Sequence, residues 1–349
     1  MNLPNFKRNA ENKASRIYLF DNIKFLAILL VVIGHAINFL TETDNGNMLE
    51  KSLFLTIYSI HMPLFIFISG LFLKPMDKST KFPKQKVISY ILIGIVLRIM
   101  MSVLRLILGK EISYSLFDMY DSFAWFIWAM AVFITIMWIF RDYNTKIIFL
   151  LSLLIGCMAG YDKFLGDKLA LMRIVVFLPF FIAGYMIKPE LLADLLSKTW
   201  LKIVSIFVVV GFVALFFINT DIYQYLRPIF TGRNSFEVLE ECESFGGLIR
   251  LLCYAISSLF GLAVMSLIPN KNLGIITKTG TKTLQIYFWH QAILLLLSYF
   301  GVYGLISSVT GDTIATAVYI LIAVAVTFVC SLPIFSFPTK QLLSFGKHN

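Results

Sequence analysis

The stretch KFLAILLVVIGH, residues 24–35, opens on a lysine, runs through ten residues that are all apolar or glycine, and closes on a histidine. With its flanks it is long enough to cross a hydrocarbon core of about 30 Å as a helix, which takes about 20 mostly apolar residues. Further runs of the same kind follow, and the apolar spans read as 22–40, 53–73, 87–108, 122–140, 146–160, 170–187, 201–218, 248–268, 284–304 and 314–336, the fifth being the shortest. A chain that is 58% hydrophobic and 14% charged, with a mean hydropathy of +0.82, does not suit a water-soluble domain. The expected fold class is an all-α polytopic membrane protein with about ten transmembrane helices.

Charge gives the orientation. Lys7, Arg8, Lys13 and Arg16 precede the first span, Lys74, Lys78, Lys81, Lys84 and Lys86 join the second to the third, and Lys271, Lys278 and Lys282 precede the ninth. The alternate loops hold most of the 20 acidic residues. Basic residues concentrate in cytoplasmic loops, so both termini are expected in the cytoplasm, with the chain in a bacterial-type plasma membrane. The net charge of +10 then reflects topology, and no basic face is left over for nucleic acid. The expected organisation is a cytoplasmic segment 1–21, one membrane domain 22–336 with an outer loop 219–247, and a cytoplasmic tail 337–349. The first apolar run ends in NFLTETDNG without a small-x-small cleavage site, so a retained helix is expected in place of a signal peptide. Cys157, Cys242, Cys253 and Cys330 form no CxxC pair, which argues against a zinc site or a disulfide framework.

On a helix, Lys24 and His35 are eleven residues apart, three turns plus about 20°, so they face the same way about 16 Å apart along the axis. Asp21 falls within about 40° of His35 on the same wheel. The first helix thus carries a polar stripe from its cytoplasmic mouth into its outer half. A lone membrane histidine often serves only as a hydrogen bond between helices, and a lysine near a helix end can snorkel; the alignment of the three favours a site. The second span, YSIHMPLFIFISGLFL, holds His61, with Pro63 free to disturb the helix between it and Ser69-Gly70. The third holds Arg98 and Arg105 on one face, and the ninth holds Gln285 and His290. Ionisable groups in lipid are costly, which makes a functional pathway the default reading. Trp125, Trp128 and Trp289 read as packing or interface residues.

The pattern R-x4-D-x2-K-x10-H from Arg16 to His35, with HMPLFIFISG at 61–70 and IYFWHQ at 286–291, resembles the membrane-bound acyltransferase family 3, in particular its fucose 4-O-acetylase-like branch. The resemblance spans nearly the whole chain. It implies a ten-helix-type protein that takes an acyl group, usually acetyl, from cytoplasmic acyl-CoA to a hydroxyl of an extracytoplasmic or lipid-linked glycan of the cell surface. It makes His35 the essential histidine and Lys24 its basic partner, where the family commonly has arginine; lysine lacks the planar fork that binds phosphate bidentately. The arginine-rich segment that often follows the second helix is here Lys78, Lys81, Lys84 and Lys86. Many relatives carry a fused hydrolase-like domain; none is seen in this sequence, so it is expected to acylate its final acceptor directly.

Acyl transfer needs a base for the acceptor hydroxyl, and histidine suits that role near neutral pH. His35 is the candidate catalytic residue, with His61 second. The residues expected to bind acetyl-CoA, the acyl donor, are Lys24, Arg16, Asp21, Arg98, Arg105, Lys84, Lys86 and His290, with Arg98 or Arg105 alternatively stabilising an oxyanion. The pantetheine arm would follow the stripe from Lys24 to His35. No metal is expected. The expected partners are acyl-CoA, a glycan or lipid-linked sugar, and the bilayer, with homo-oligomer formation left open. The aromatic and acidic loop 219–247 reads either as an acceptor surface or as a solvated connector. A transporter is the competing class; it predicts paired discontinuous helices or repeated halves, which the sequence does not display. A non-enzymatic partner in glycan export would leave the 24–35 stripe without a purpose.

Overall fold

Each apolar run becomes a helix in the computed structural model, which describes residues 16–43, 46–111, 124–165 and 169–345. Among these residues there is no strand. The basic residues Lys7, Arg8 and Lys13 and the end of the tail lie outside them. Helix α1 (Tyr18–Thr43) is followed by α2 (Met48–Tyr58), α3 (His61–Leu71), α4 (Lys84–Ile107), α5 (Trp125–Ile139), α6 (Thr145–Met158), α7 (Leu171–Tyr185) and α8 (Pro189–Ser197). The second half comprises α9 (Thr199–Ile218), α10 (Tyr223–Thr231), α11 (Gly246–Leu267), α12 (Ile275–Gly280), α13 (Thr283–Tyr299), α14 (Val302–Thr310), α15 (Asp312–Cys330) and α16 (Thr339–Ser344).

Among the described residues, six segments are long and apolar enough to span a membrane: α1, α2 with α3, α4, α9, α11 with the 3₁₀ turns before it, and α15. Two more qualify as bent pairs, α7 with α8 at 86° and α13 with α14 at 55°. Helices α5 and α6 are shorter, at 15 and 14 residues. At 1.5 Å per residue they reach only about 22 Å. The ten apolar runs of the sequence are therefore ten helical segments of unequal reach.

The second span is one stretch, Met48–Leu71, with a two-residue turn inside it. Helix α2 ends at Tyr58 and α3 begins at His61. Pro63 accounts for the place of that turn: with no N–H it cannot bond to the Ser59 carbonyl, and its ring crowds that carbonyl, so the irregularity falls at Ser59–Ile60, upstream of the expected stretch between His61 and Ser69-Gly70. The start of α2 is secured by a reciprocal cap in which Asn47 Oδ1 accepts from the Glu50 amide and Glu50 Oε2 from the Asn47 amide, both at 3.0 Å. The other oxygen of Glu50, a buried carboxylate, accepts from Thr316 Oγ1 at 2.7 Å and Tyr303 Oη at 3.0 Å. That ties α2 to α14 and α15.

Helix α1 runs through the middle of the bundle, touching α2, α3, α12, α13 and α15. Its first turn is pinned by residues far along the chain. Asn270 Oδ1 accepts from the Leu19 amide, Asn22 Nδ2 donates to the Pro269 and Lys271 carbonyls, and Thr277 Oγ1 donates to Asn22 Oδ1. Gly280 of α12 lies directly on the backbone of Asp21. At the same end, Gln285 Nε2 donates to the Cys330 and Leu332 carbonyls and so caps α15, a structural use for that residue. Between α3 and α4, the hydroxyls of Ser79 and Thr80 and their amides donate to the turn carboxylate of Asp77 and hold it below its usual range. Tyr185 Oη accepts from the Met76 amide, which fastens this lysine-bearing loop to α7.

Segment 219–247 is neither a loose connector nor flat. It folds into α10 flanked by 3₁₀ turns and buries Leu226, Ile229, Phe230, Phe236 and Leu239, while Glu237, Glu240 and Glu241 stay exposed. It forms a cap over the ends of α2 and α11.

Helix α3 packs closely against α7. A methyl group at Gly70 would meet the Phe181 carbonyl, and one at Gly184 the Phe67 carbonyl. Both obstacles are backbone, which cannot rotate aside. Gly184→Val is therefore expected to cost roughly 1–3 kcal/mol or more and to lower the thermal unfolding midpoint in detergent by several degrees. Gly211→Ala, with open space around it, leaves the midpoint unchanged or raises it.

Candidate functional site

Two polar centres lie along α1. At its first turn, Asp21 accepts from Arg16 Nε at 2.9 Å and Nη2 at 2.5 Å, and pairs with Lys24 Nζ at 2.9 Å. Lys24 also lies 5.2 Å from the centre of the Phe72 ring. Its ammonium borders a cavity of about 190 Å³, lined further by Ser69, Lys86, Tyr90, Met130 and Thr283. Two lysines from different helices thus face one cavity at the lysine-rich end. Lys84 is exposed in the first turn of α4 and is not part of the lining.

Eleven residues farther along α1, His35 meets α13. Its Nδ1 is 2.9 Å from Nε2 of His290, and the two rings are nearly parallel. The tautomers follow from the acceptors. His290 Nδ1 is 3.0 Å from the Ile286 carbonyl, which can only accept, so that nitrogen carries the proton. With the ring neutral, His290 Nε2 is then an acceptor. His35 Nδ1 must donate to it, leaving Nε2 of His35 as its lone-pair nitrogen. His61 is held in the same way, its Nδ1 donating to the Ile57 carbonyl at 2.9 Å, with Tyr58 edge-on at 4.5 Å. All three rings are buried, and His61 and Arg173 lie within electrostatic range of His35.

Arg173 and Tyr287 did not stand out as site residues in the sequence. Arg173 is buried on α7, its charge 5.2 Å from the centre of the Trp125 ring. Tyr287 lies one turn before His290, with ring centres 5.7 Å apart. Arg173 had one visible signal, a basic residue inside an apolar span; Tyr287 had only its i−3 spacing from His290. Trp125 turns out to be both packing and the platform under Arg173.

Between the centres, α1 does not present an open stripe. Ile28, Val31 and Val32 are at most 1% exposed, so the α1 face between Lys24 and His35 is packed. An aromatic series spans the gap: Phe65, at the cavity wall, meets Phe126 edge-on at 5.1 Å, Phe126 meets Tyr287 at 5.1 Å, and Tyr287 meets His290. Arg98 and Arg105 are absent from the cavity lining. Counted from Lys86, Arg98 is about 18 Å along α4 and Arg105 about 28 Å, which sets Arg98 near the depth of His35 and Arg105 beyond it. Among the described residues no group of three or more His, Cys, Asp or Glu side chains could hold a metal.

The family model described as an acyltransferase domain, that of acyltransferase family 3, matches residues 17–335. The chain belongs to acyltransferase family 3. Neither a curated protein nor a solved structure matches it. The family match runs from just ahead of the first turn of α1 to the segment after α15, so it takes in both polar centres of this family 3 chain. Together with its long apolar helices, the match makes the protein a membrane acyltransferase by family.

Nitrogen-15 NMR of histidine-labelled protein tests the tautomers. His35, His61 and His290 are expected as Nδ1–H forms, and His290→Ala should shift the His35 resonances while leaving those of His61 in place. A His35 ring protonated on Nε2 would contradict the assignment.

Proposed function

We propose that the protein moves an acetyl or other acyl group from acyl-CoA, bound at the lysine-rich and cytoplasmic end, to a hydroxyl of a cell-surface or lipid-linked glycan on the other side. The observation that carries this reading is the His35–His290 bond. It fixes His35 so that its Nε2 is the nitrogen able to accept a proton, inside a chain whose family performs acyl transfer.

Two lysines lining one cavity suit a polyphosphate. Lys24 and Lys86 would hold the CoA phosphates there, with Asp21 and Arg16 fixing the position of Lys24. Acyl-CoA supplies an activated thioester. His35 Nε2 takes the proton from the acceptor hydroxyl as its oxygen bonds to the acyl carbon, and returns that proton to the departing sulfur as the C–S bond breaks. The products are the ester and free CoA thiol. While His35 is cationic, its Nδ1–H is a stronger donor to His290, and the Ile286 carbonyl keeps His290 oriented to accept. Arg173 and Arg98, by position, are the cations suited to the oxyanion. The packed α1 face redirects the expected path of the acyl arm toward the Phe65–Phe126–Tyr287 series.

A transporter remains the second reading because two spans, α7 with α8 and α13 with α14, are bent pairs, and discontinuous helices are a feature of substrate paths in carriers. Transfer of labelled acetyl from acetyl-CoA to glycan, in membranes of the native host, separates the two. His35→Ala, matched for expression, is expected to lose at least about 100-fold in rate. Lys24→Met should raise KM for acetyl-CoA more than it lowers kcat. Equal labelling by wild type and His35→Ala would remove His35 from the chemistry. No labelling by either, with acceptor present and longer acyl-CoAs also inactive, would favour transport.

A further inference from the structure

Arg250 is in the second turn of α11 and is 1% exposed, although its guanidinium is always charged and carries five N–H donors. Its Nη1 donates to the Ile229 carbonyl of α10 at 2.5 Å, and its charge lies 5.6 Å from the centre of the Phe236 ring. Nε and Nη2 have no hydrogen-bond acceptor. Among the described residues no carboxylate is within ion-pair distance of it. Burying a charge this way is costly unless something pairs with it, and an apolar side chain of similar size would pack there without that cost.

The guanidinium borders a cleft walled by Pro63, Phe177, Phe230, Tyr254 and Ser257. Tyr254 is already committed, its hydroxyl donating to the Val176 carbonyl at 2.7 Å. Pro63 is two residues past His61. Phe177 is one turn past Arg173 and stacks on Trp125, the ring that Arg173 covers. The cleft therefore adjoins the histidine cluster on the side away from the lysine-lined cavity.

We propose that Arg250 binds an anionic group, a carboxylate or a phosphate carried by the acyl acceptor, in the cleft beneath α10. This rests on the acyltransferase reading above and gives it an acceptor class. As it stands, the cleft has about 10 Å³ of room, enough for about one water, so entry of the group requires α10 to lift. The bond from Nη1 to Ile229 is the tie that would break. An anion adds the attraction of opposite charges, which the neutral carbonyl cannot offer, and can take two guanidinium N–H groups at once, so the anion displaces that carbonyl, and Ser257 offers a hydroxyl donor beside it. An acceptor held there presents its neighbouring hydroxyls toward His61 and His35.

The test measures binding of methyl β-D-glucuronide, glucose 1-phosphate and the neutral methyl β-D-glucoside to the full chain in nanodiscs by calorimetry. An anionic probe is expected to bind at least tenfold more tightly than the neutral one, and whichever is preferred identifies carboxylate or phosphate. Arg250→Met should erase the preference and Arg250→Lys retain part of it. Lys24→Met and His35→Ala should both keep it, so the result stands apart from any acetyl-transfer assay. Hydrogen exchange of residues 223–231 in the wild type gives a second measurement that needs no variant: the anionic probe alone should alter it. Equal binding of all three probes, a preference that survives Arg250→Met, or unchanged exchange in 223–231 would overturn the proposal.

Discussion

Hydrocarbon offers no hydrogen bonds, so a polar side chain within the bilayer must find its partner in the protein. That constraint assembles this molecule. Asp21 takes Arg16 and Lys24, Asn22 takes the 269–277 segment, Glu50 takes Thr316 and Tyr303, and His35 takes His290. The pairings between helices fix a register as well as a side chain. The His35–His290 bond joins α1 to α13 at one depth only, and the Asn22–Thr277 bond repeats the restraint at the end of α1. Apolar packing between helices is far less selective, because lipid tails are as apolar as leucine.

Much of this was legible in the sequence, for reasons of length and spacing. Apolar runs have one outcome in a bilayer, so each predicted span corresponds to a helix. The resemblance carried by Arg16 to His35 and by IYFWHQ agrees with the family match. Spacing along one helix, however, says nothing about what stands on the neighbouring helix. His35 was read as the end of a stripe starting at Lys24, whereas the structure gives each its own partners and packs Ile28, Val31 and Val32 between them. His290 was grouped with donor binding; only the fold brings it to His35. Pro63 was read as disturbing the stretch after His61, whereas a proline acts on the carbonyl four residues before it, which puts the irregularity at Ser59–Ile60. Segment 219–247 read as a loop because its apolar residues follow no long period, yet short helical turns bury them well.

The two centres differ in what surrounds them. The Lys24 centre has exposed side chains, an open cavity and ion pairs that water can screen. The histidine centre is enclosed, and its protons are placed by backbone carbonyls of α2 and α13 one turn back. Arg173 and Arg250 extend this enclosed region toward the cap, each resting against an aromatic ring.

The packed layer of Ile28, Val31 and Val32, with the Phe65–Phe126–Tyr287 series beside it, has a meaning for the cell that holds the protein. A molecule with lysines at one face and histidines deep within could easily conduct protons if water threaded through it. Here the section of α1 between the two is as fully buried as a soluble core. A layer packed in this way leaves no water path along α1 between the ionisable groups on its two sides, which separates them electrically although one helix carries both.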